Sequence, residues 1–208
     1  MSDVKFDSWP GLFVATTNSG KLREIRRALD GVPIRLLTAD DLPARPVEPE
    51  ETGSTFAENA ALKALAYVRQ VGLPTVAEDS GLAIDALDGR PGVHSARYPG
   101  ATYAEKFARL YAELAPHPKP WTARFVCALA LALPGPTPEV VFTAEGTVEG
   151  EIVSPPRGTN GFGYDPIFFH PPYQATLAEV DDARKLAVSH RGAAFRQLRA
   201  WLLDPVIG

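Results

Sequence analysis

Cysteine is all but missing. Cys127 is the one cysteine in 208 residues, so no intramolecular disulfide can form. It lies in the apolar run FVCALALAL, residues 125–133, where a small buried hydrophobe is the expected role. A reactive thiol needs an electropositive, accessible setting instead. Long hydrophobic runs are also missing, and this run falls far short of the roughly 20 apolar residues that cross a bilayer. The first residues, MSDVKFDSWPG, carry acids and lack the apolar stretch of a secretory signal. There is no cationic excess: 21 Lys and Arg stand against 25 Asp and Glu, a net charge of −4. Non-specific coating of nucleic acid, which needs a broad cationic surface, is thereby excluded. Repeats and low-complexity linkers are absent too. These absences lead us to expect one domain over residues 1–208 in a reducing cytoplasm, with no membrane and no nucleic-acid partner.

What is present is an ordinary globular composition, 45% hydrophobic and 22% charged. Residues 12–16 read as a buried strand. Leu22, Ile25 and Leu29 recur at helical spacing, so residues 20–30 read as a helix. Residues 34–37 read as a second strand. Thr55 and Glu58 form a capping-box pattern. Phe56, Ala60, Ala64, Tyr67 and Val71 then continue a helix to about residue 71. Residues 75–77 and 82–87 read as short strands around a turn at Asp79-Ser80-Gly81. Residues 102–114 and 192–203 read as helices. Residues 122–133 and 139–149 read as a hairpin joined by Pro-Gly-Pro. Early alternation of strands and helices with a hairpin in the middle predicts an α/β protein with a mixed sheet.

Five stretches carry candidate chemistry. Thr16-Thr17-Asn18-Ser19-Gly20-Lys21 sits between a strand and a helix, where phosphate is favoured by unpaired N–H groups and partial positive charge. It is not a P-loop, because Ala15 replaces the first Gly and Leu22 replaces the Mg-binding hydroxyl. Read by itself the stretch is either a phosphate loop or a turn with Ser19 as helix cap. Glu78-Asp79-Ser80-Gly81 follows a strand end and is either a surface turn with two acids or a metal site, since carboxylates there suit Mg²⁺. On an extended chain the two acids point to opposite sides, one towards a ligand and the other supporting it. Glu48, Glu50 and Glu51 are either a solvated loop or a source of a further metal ligand. Gly158 to Pro166 is either a run of tight turns beside a core Phe162 or a loop whose glycines permit close approach to a ligand. Lys185, His190 and Arg191 are either a solvated face or contacts to phosphate and base.

In this order ATTNSGKLREI, PEETGSTFAENAALKA, AEDSGLAIDAL, GRPGVHSARYPG, ARFVCALAL, GTNGFGYDPIFF and KLAVSHRG closely resemble the inosine triphosphate pyrophosphatase family. The resemblance spans nearly the whole chain and leaves residues 1–10 as an N-terminal extension. It implies two lobes around a long mixed β-sheet, with flanking helices and a deep central cleft, and a homodimer. It implies Mg²⁺-dependent hydrolysis of ITP, dITP and XTP to monophosphate and pyrophosphate. By motif match, Thr16, Thr17, Asn18, Ser19, Gly20 and Lys21 bind the triphosphate. Asp79 is then the catalytic carboxylate and a metal ligand, Glu50 is the second metal ligand, and Ser80 touches substrate. Phe162, Gly163, Tyr164 and Asp165 hold the base, and Lys185, His190 and Arg191 complete the pocket. Glu78 stands where the family often has Asp. The alternatives are a Maf-like diphosphatase for pyrimidine or modified nucleotides, and a non-catalytic nucleotide-binding module.

Overall fold

The computed structural model describes residues 9–204, so all but the last two residues of the expected extension lie outside it. Seven strands form one mixed sheet in the order β2-β1-β3-β4-β5-β6-β7. They are β1 (Leu12–Val14), β2 (Leu36–Leu37), β3 (Thr75–Ile84), β4 (Trp121–Leu133), β5 (Glu139–Ile152), β6 (Phe168–His170) and β7 (Ala175–Thr176). β1 runs parallel to β2, with Leu12 opposite Leu36, and parallel to β3, with Val14 opposite Val76. β6 is antiparallel to β5 and to β7. Five helices accompany the sheet: α1 (Ser19–Ala28), α2 (Phe56–Val71), α3 (Tyr103–Leu114), α4 (Asp182–Val188) and α5 (His190–Leu202). The mixed α/β sheet matches the sequence reading.

Two compact units are formed by the described residues. The first draws on residues 9–79, 127–146 and 191–204, the second on residues 80–126 and 147–190. In the first unit the alternation of β4 decides the packing. Ala128, Ala130 and Ala132 share a core with Ala60, Ala64 and Val68 of α2 and with Phe13 of β1. Small residues on both surfaces let helix and sheet backbones approach closely, which large side chains would prevent. In the second unit Phe107, Leu110 and Leu114 of α3 pack with Phe125, Tyr164, Ile167 and Phe168.

Three local readings change. Ser80-Gly81 is no turn: β3 runs unbroken from Thr75 to Ile84. Pairing on both sides overrides the turn chemistry of Ser-Gly. Asn18, not Ser19, caps α1, its side-chain oxygen accepting from Lys21 N at 3.0 Å. The stretch before the last helix is itself helical: Lys185 lies in α4, and His190 and Arg191 open α5.

The capping box at α2 is present as read. Thr55 Oγ1 accepts from Glu58 N at 3.1 Å, and Glu58 accepts from Thr55 N. Thr55→Ala is expected to cost about 1 kcal/mol in urea unfolding, and Thr55→Gly only a few tenths. An unchanged midpoint for the alanine variant would show that the cap contributes nothing here.

Candidate active site

β3 places two acids side by side in the interior. Glu78 is 4% exposed and Asp79 6%. Each needs its own compensation, because an unpaired buried charge is expensive. Alternation along the strand sends them to different partners.

Glu78 faces cations and a thiol. Arg191 Nε donates to its Oε1 at 3.1 Å, and Lys21 Nζ lies 3.1 Å from the same oxygen. The Cys127 thiol donates to Oε2 at 3.1 Å. Arg191 also donates to Glu24 Oε2 at 2.7 Å. Burial pushes the Glu78 carboxyl up, but Arg191 and Lys21 outweigh it and hold the group well below the ordinary 4.5. Burial, with Glu78 adding to it, pushes the Cys127 thiol well up, so Cys127 stays a protonated donor, as its apolar setting suggested.

Asp79 faces α2. Asn59 Nδ2 donates to its Oδ2 at 3.1 Å, and Lys63 Nζ donates to Oδ1 at 3.3 Å. The same ammonium donates to Glu51 Oε1 at 2.8 Å. Burial pushes Asp79 up, the Lys63 charge and the Asn59 hydrogen bond pull it down, and the net shift is upward. Asp79 therefore holds a proton more tightly than an ordinary aspartate, the property a general base needs.

Lys21 connects the first cluster to the Thr16–Lys21 stretch. Its side chain is 22% exposed while that of Glu78 is 2% exposed, so this cation reaches solvent. Thr16 Oγ1 accepts from Asn18 N at 3.2 Å. Ser19 and Gly20 open α1, where N–H groups lack intrahelical partners. A cavity of about 180 Å³ opens beside Thr16 and Thr17, lined also by Arg45, Glu48 and Tyr67.

A separate constellation forms in the second unit. Asp165 accepts from Phe162 N at 2.8 Å and is ion-paired with Lys185, both side chains being 3% exposed. The Lys185 ammonium stands 4.4 Å over the Phe162 ring. Gly161 takes φ +73°, and a Cβ there would collide with the Asp165 carboxylate. Glycine is thus required for the loop to close on its own acid. Gly163 is also left-handed, with φ +67°. Tyr164 is 4% exposed. His190 stacks on Phe125 with centroids 4.9 Å apart.

The structure brings Asp79 together with Glu51, and Lys21 together with Glu78 and Arg191. Glu50 is exposed, as is Thr17. Sequence reasoning passed over Asn59, Lys63, Glu24 and the partner role of Cys127. One signal was available, since Asn59 and Lys63 stand four residues apart on one face of α2, beside the apolar stripe.

A divalent cation is implied by the resemblance, and the donor chemistry fits one. Asp79 and Glu51 converge on a single positive group, and both offer hard carboxylate oxygens. No cluster of three or more His, Cys, Asp or Glu suited to a metal occurs among the described residues. Mg²⁺ takes one or two carboxylates and completes its shell with phosphate and water. No helix among the described residues is long and apolar enough to cross a membrane.

Sheet order and these two clusters define an α/β protein with a buried acid–cation centre and a glycine-rich, lysine-backed loop. The Ham1 family model matches residues 12–201. A dITP/XTP pyrophosphatase from Geobacter sulfurreducens is 49% identical over 191 residues, 90% of this chain and 94% of that protein. A dITP/XTP pyrophosphatase from Geobacillus kaustophilus is 48% identical over 192 residues, 90% of this chain and 91% of that protein. The structure of a HAM1 protein from Coxiella burnetii superimposes with a TM-score of 0.83 at 43% identity, covering 92% of this chain and 98% of that one. The chain belongs to the Ham1 family.

Arg191 is 1% exposed between two buried acids. Arg191→Met is expected to cost about 3–5 kcal/mol in urea unfolding, because it removes the buried guanidinium that Glu24 and Glu78 share. Adding Glu78→Gln should recover part of the loss. A single variant as stable as the parent would contradict this account.

Proposed function

We propose that the protein hydrolyses purine nucleoside triphosphates with non-standard bases, namely ITP, dITP and XTP, to the monophosphate and pyrophosphate. One observation carries the reading. A buried carboxylate, Asp79, held by Asn59 and Lys63, sits in a chain nearly half identical to proteins called dITP/XTP pyrophosphatase.

The reaction is attack of water on the α-phosphorus. The new oxygen–phosphorus bond forms as the bond to the bridging oxygen breaks, and pyrophosphate leaves with that electron pair. Asp79 accepts the proton of the attacking water, while Asn59 and Lys63 hold its carboxylate in place. Lys21 and the first turn of α1 receive the phosphate charge, with Thr16, Thr17, Asn18, Ser19 and Gly20 shaping that end. Glu78 and Arg191 keep the Lys21 ammonium in position. Ser80 follows Asp79 on the strand and contacts the substrate.

Mg²⁺ would be held by Asp79 and by Glu50, and when bound it neutralises triphosphate charge and stabilises the leaving oxygens. Lys63 bonds both Glu51 and Asp79, and of the adjacent acids Glu50 and Glu51 we take Glu50 for the metal. Phe162, Gly163, Tyr164 and Asp165 frame the base, with Lys185 and His190 behind them. A 6-keto base is accepted there and a 6-amino base is penalised. Facing a buried donor with another donor costs about 1–3 kcal/mol. The family resemblance further supports a single diphosphatase domain that works as a homodimer. Nucleotide substrates and a lone protonated cysteine support the cytoplasm as its place.

Pyrophosphate release should be faster from ITP, dITP and XTP than from ATP, GTP or dUTP, and should require Mg²⁺. Asp79→Asn should lower kcat by about 10²–10⁴-fold, the range of a general base. Equal turnover of ATP, a preference for dUTP, or near-normal activity of the variant would each contradict the proposal.

A further inference from the structure

The segment Gly92 to Tyr98 has no part in the chemistry above, yet Ser95 within it is only 4% exposed. Its Oγ accepts from the backbone N–H of Leu82 at 2.9 Å and donates to the Gly92 carbonyl at 2.6 Å. A strand amide of β3 is thus satisfied by a serine side chain. Leu82 lies three positions beyond Asp79 on that strand. The Ser95 carbonyl accepts from the Tyr164 hydroxyl at 2.8 Å. Tyr164 belongs to the glycine-rich loop. Its ring is locked edge-on against Tyr103, with centroids 5.4 Å apart, and lies 6.1 Å from Phe107. Next along the chain, the Ala96 carbonyl accepts from the buried Lys106 ammonium at 2.7 Å. Both carbonyls are therefore tied down.

Tyr164 is buried with its hydroxyl committed, so it serves the loop by position and not by touching a base. One residue connects that loop with the strand: Ser95 holds Leu82 through its side chain and Tyr164 through its backbone. Both bonds are buried, where hydrogen-bond geometry is enforced because an unmade bond cannot be replaced by water.

We propose that Ser95 is a positioning residue that sets the register of the loop Phe162 to Asp165 against the strand carrying Asp79, so that the fit of the base is transmitted to the strand that does the chemistry. The proposal rests on the reading of that loop as the base holder.

The test is the ratio of kcat/KM for ITP to kcat/KM for GTP. Tyr164→Phe keeps the ring and its packing and removes only the hydroxyl. It should lower the ratio about tenfold, the factor corresponding to one hydrogen bond of coupling. Ser95→Ala should lower it by a similar factor, and the double variant by no more than either single. A merely structural role predicts a lower melting temperature and equal losses for both nucleotides, with the ratio retained, and that result would overturn the proposal. Additive losses in the double variant would overturn it too, because they would assign the two residues independent roles. Should Ser95→Ala not fold, Tyr164→Phe decides by itself. A parent enzyme with no preference for ITP would instead overturn the base-holding role of the loop.

Discussion

Two carboxylates at successive positions of one interior strand cannot both be left without cations. Glu78 and Asp79 meet this constraint by dividing the first unit between them. Glu78 is neutralised by Arg191 and Lys21, which belong to helices α5 and α1. Asp79 is met by Lys63 and Asn59 of α2. Three helices are therefore fixed to the strand by charge as well as by apolar packing. The two acids also end with opposite properties. Glu78 is kept ionised by two nearby cations, Arg191 and Lys21, whereas Asp79, with one ammonium shared with Glu51, holds its proton more tightly.

The same economy governs the second unit. Lys185 and Asp165 are both buried and neutralise each other, and the Phe162 ring covers the ammonium. Glycine at 161 is the condition for this closure, since any Cβ would occupy the place of the Asp165 carboxylate. Gly158 is under the same demand, with φ +82° and the Ala178 backbone where a Cβ would go. The polar groups of the loop are thus satisfied inside it.

What the sequence disclosed depended on how local the cause was. Helix α2 was legible to its ends, because the Thr55–Glu58 box, the apolar stripe and Gly72 all act within a few residues. Strand β3 was misread as two pieces, because Ser-Gly announces a turn locally while pairing with distant strands decides the outcome. The mixed sheet was legible from the order of elements. Burial of Arg191 was not, since its carboxylate partners lie 113 and 167 residues away. A Ser-His-Arg run reads as surface charge until the acids facing it are known. Asn59 and Lys63 were overlooked for a related reason: polar residues on a helix usually face water, and only the position of Asp79 shows that these do not.

The division of labour between Glu78 and Asp79 is the claim on which the rest stands, and an NMR titration of the side-chain carboxyl carbons tests it directly. In the folded protein Asp79 should take up its proton above the ordinary aspartate value of 3.8. Glu78 should remain ionised well below the ordinary glutamate value of 4.5. The usual order of the two residue types would then be reversed. If Glu78 protonates first, or if both titrate at their ordinary values, the cations assigned to each acid are wrong and the account of the site fails with them.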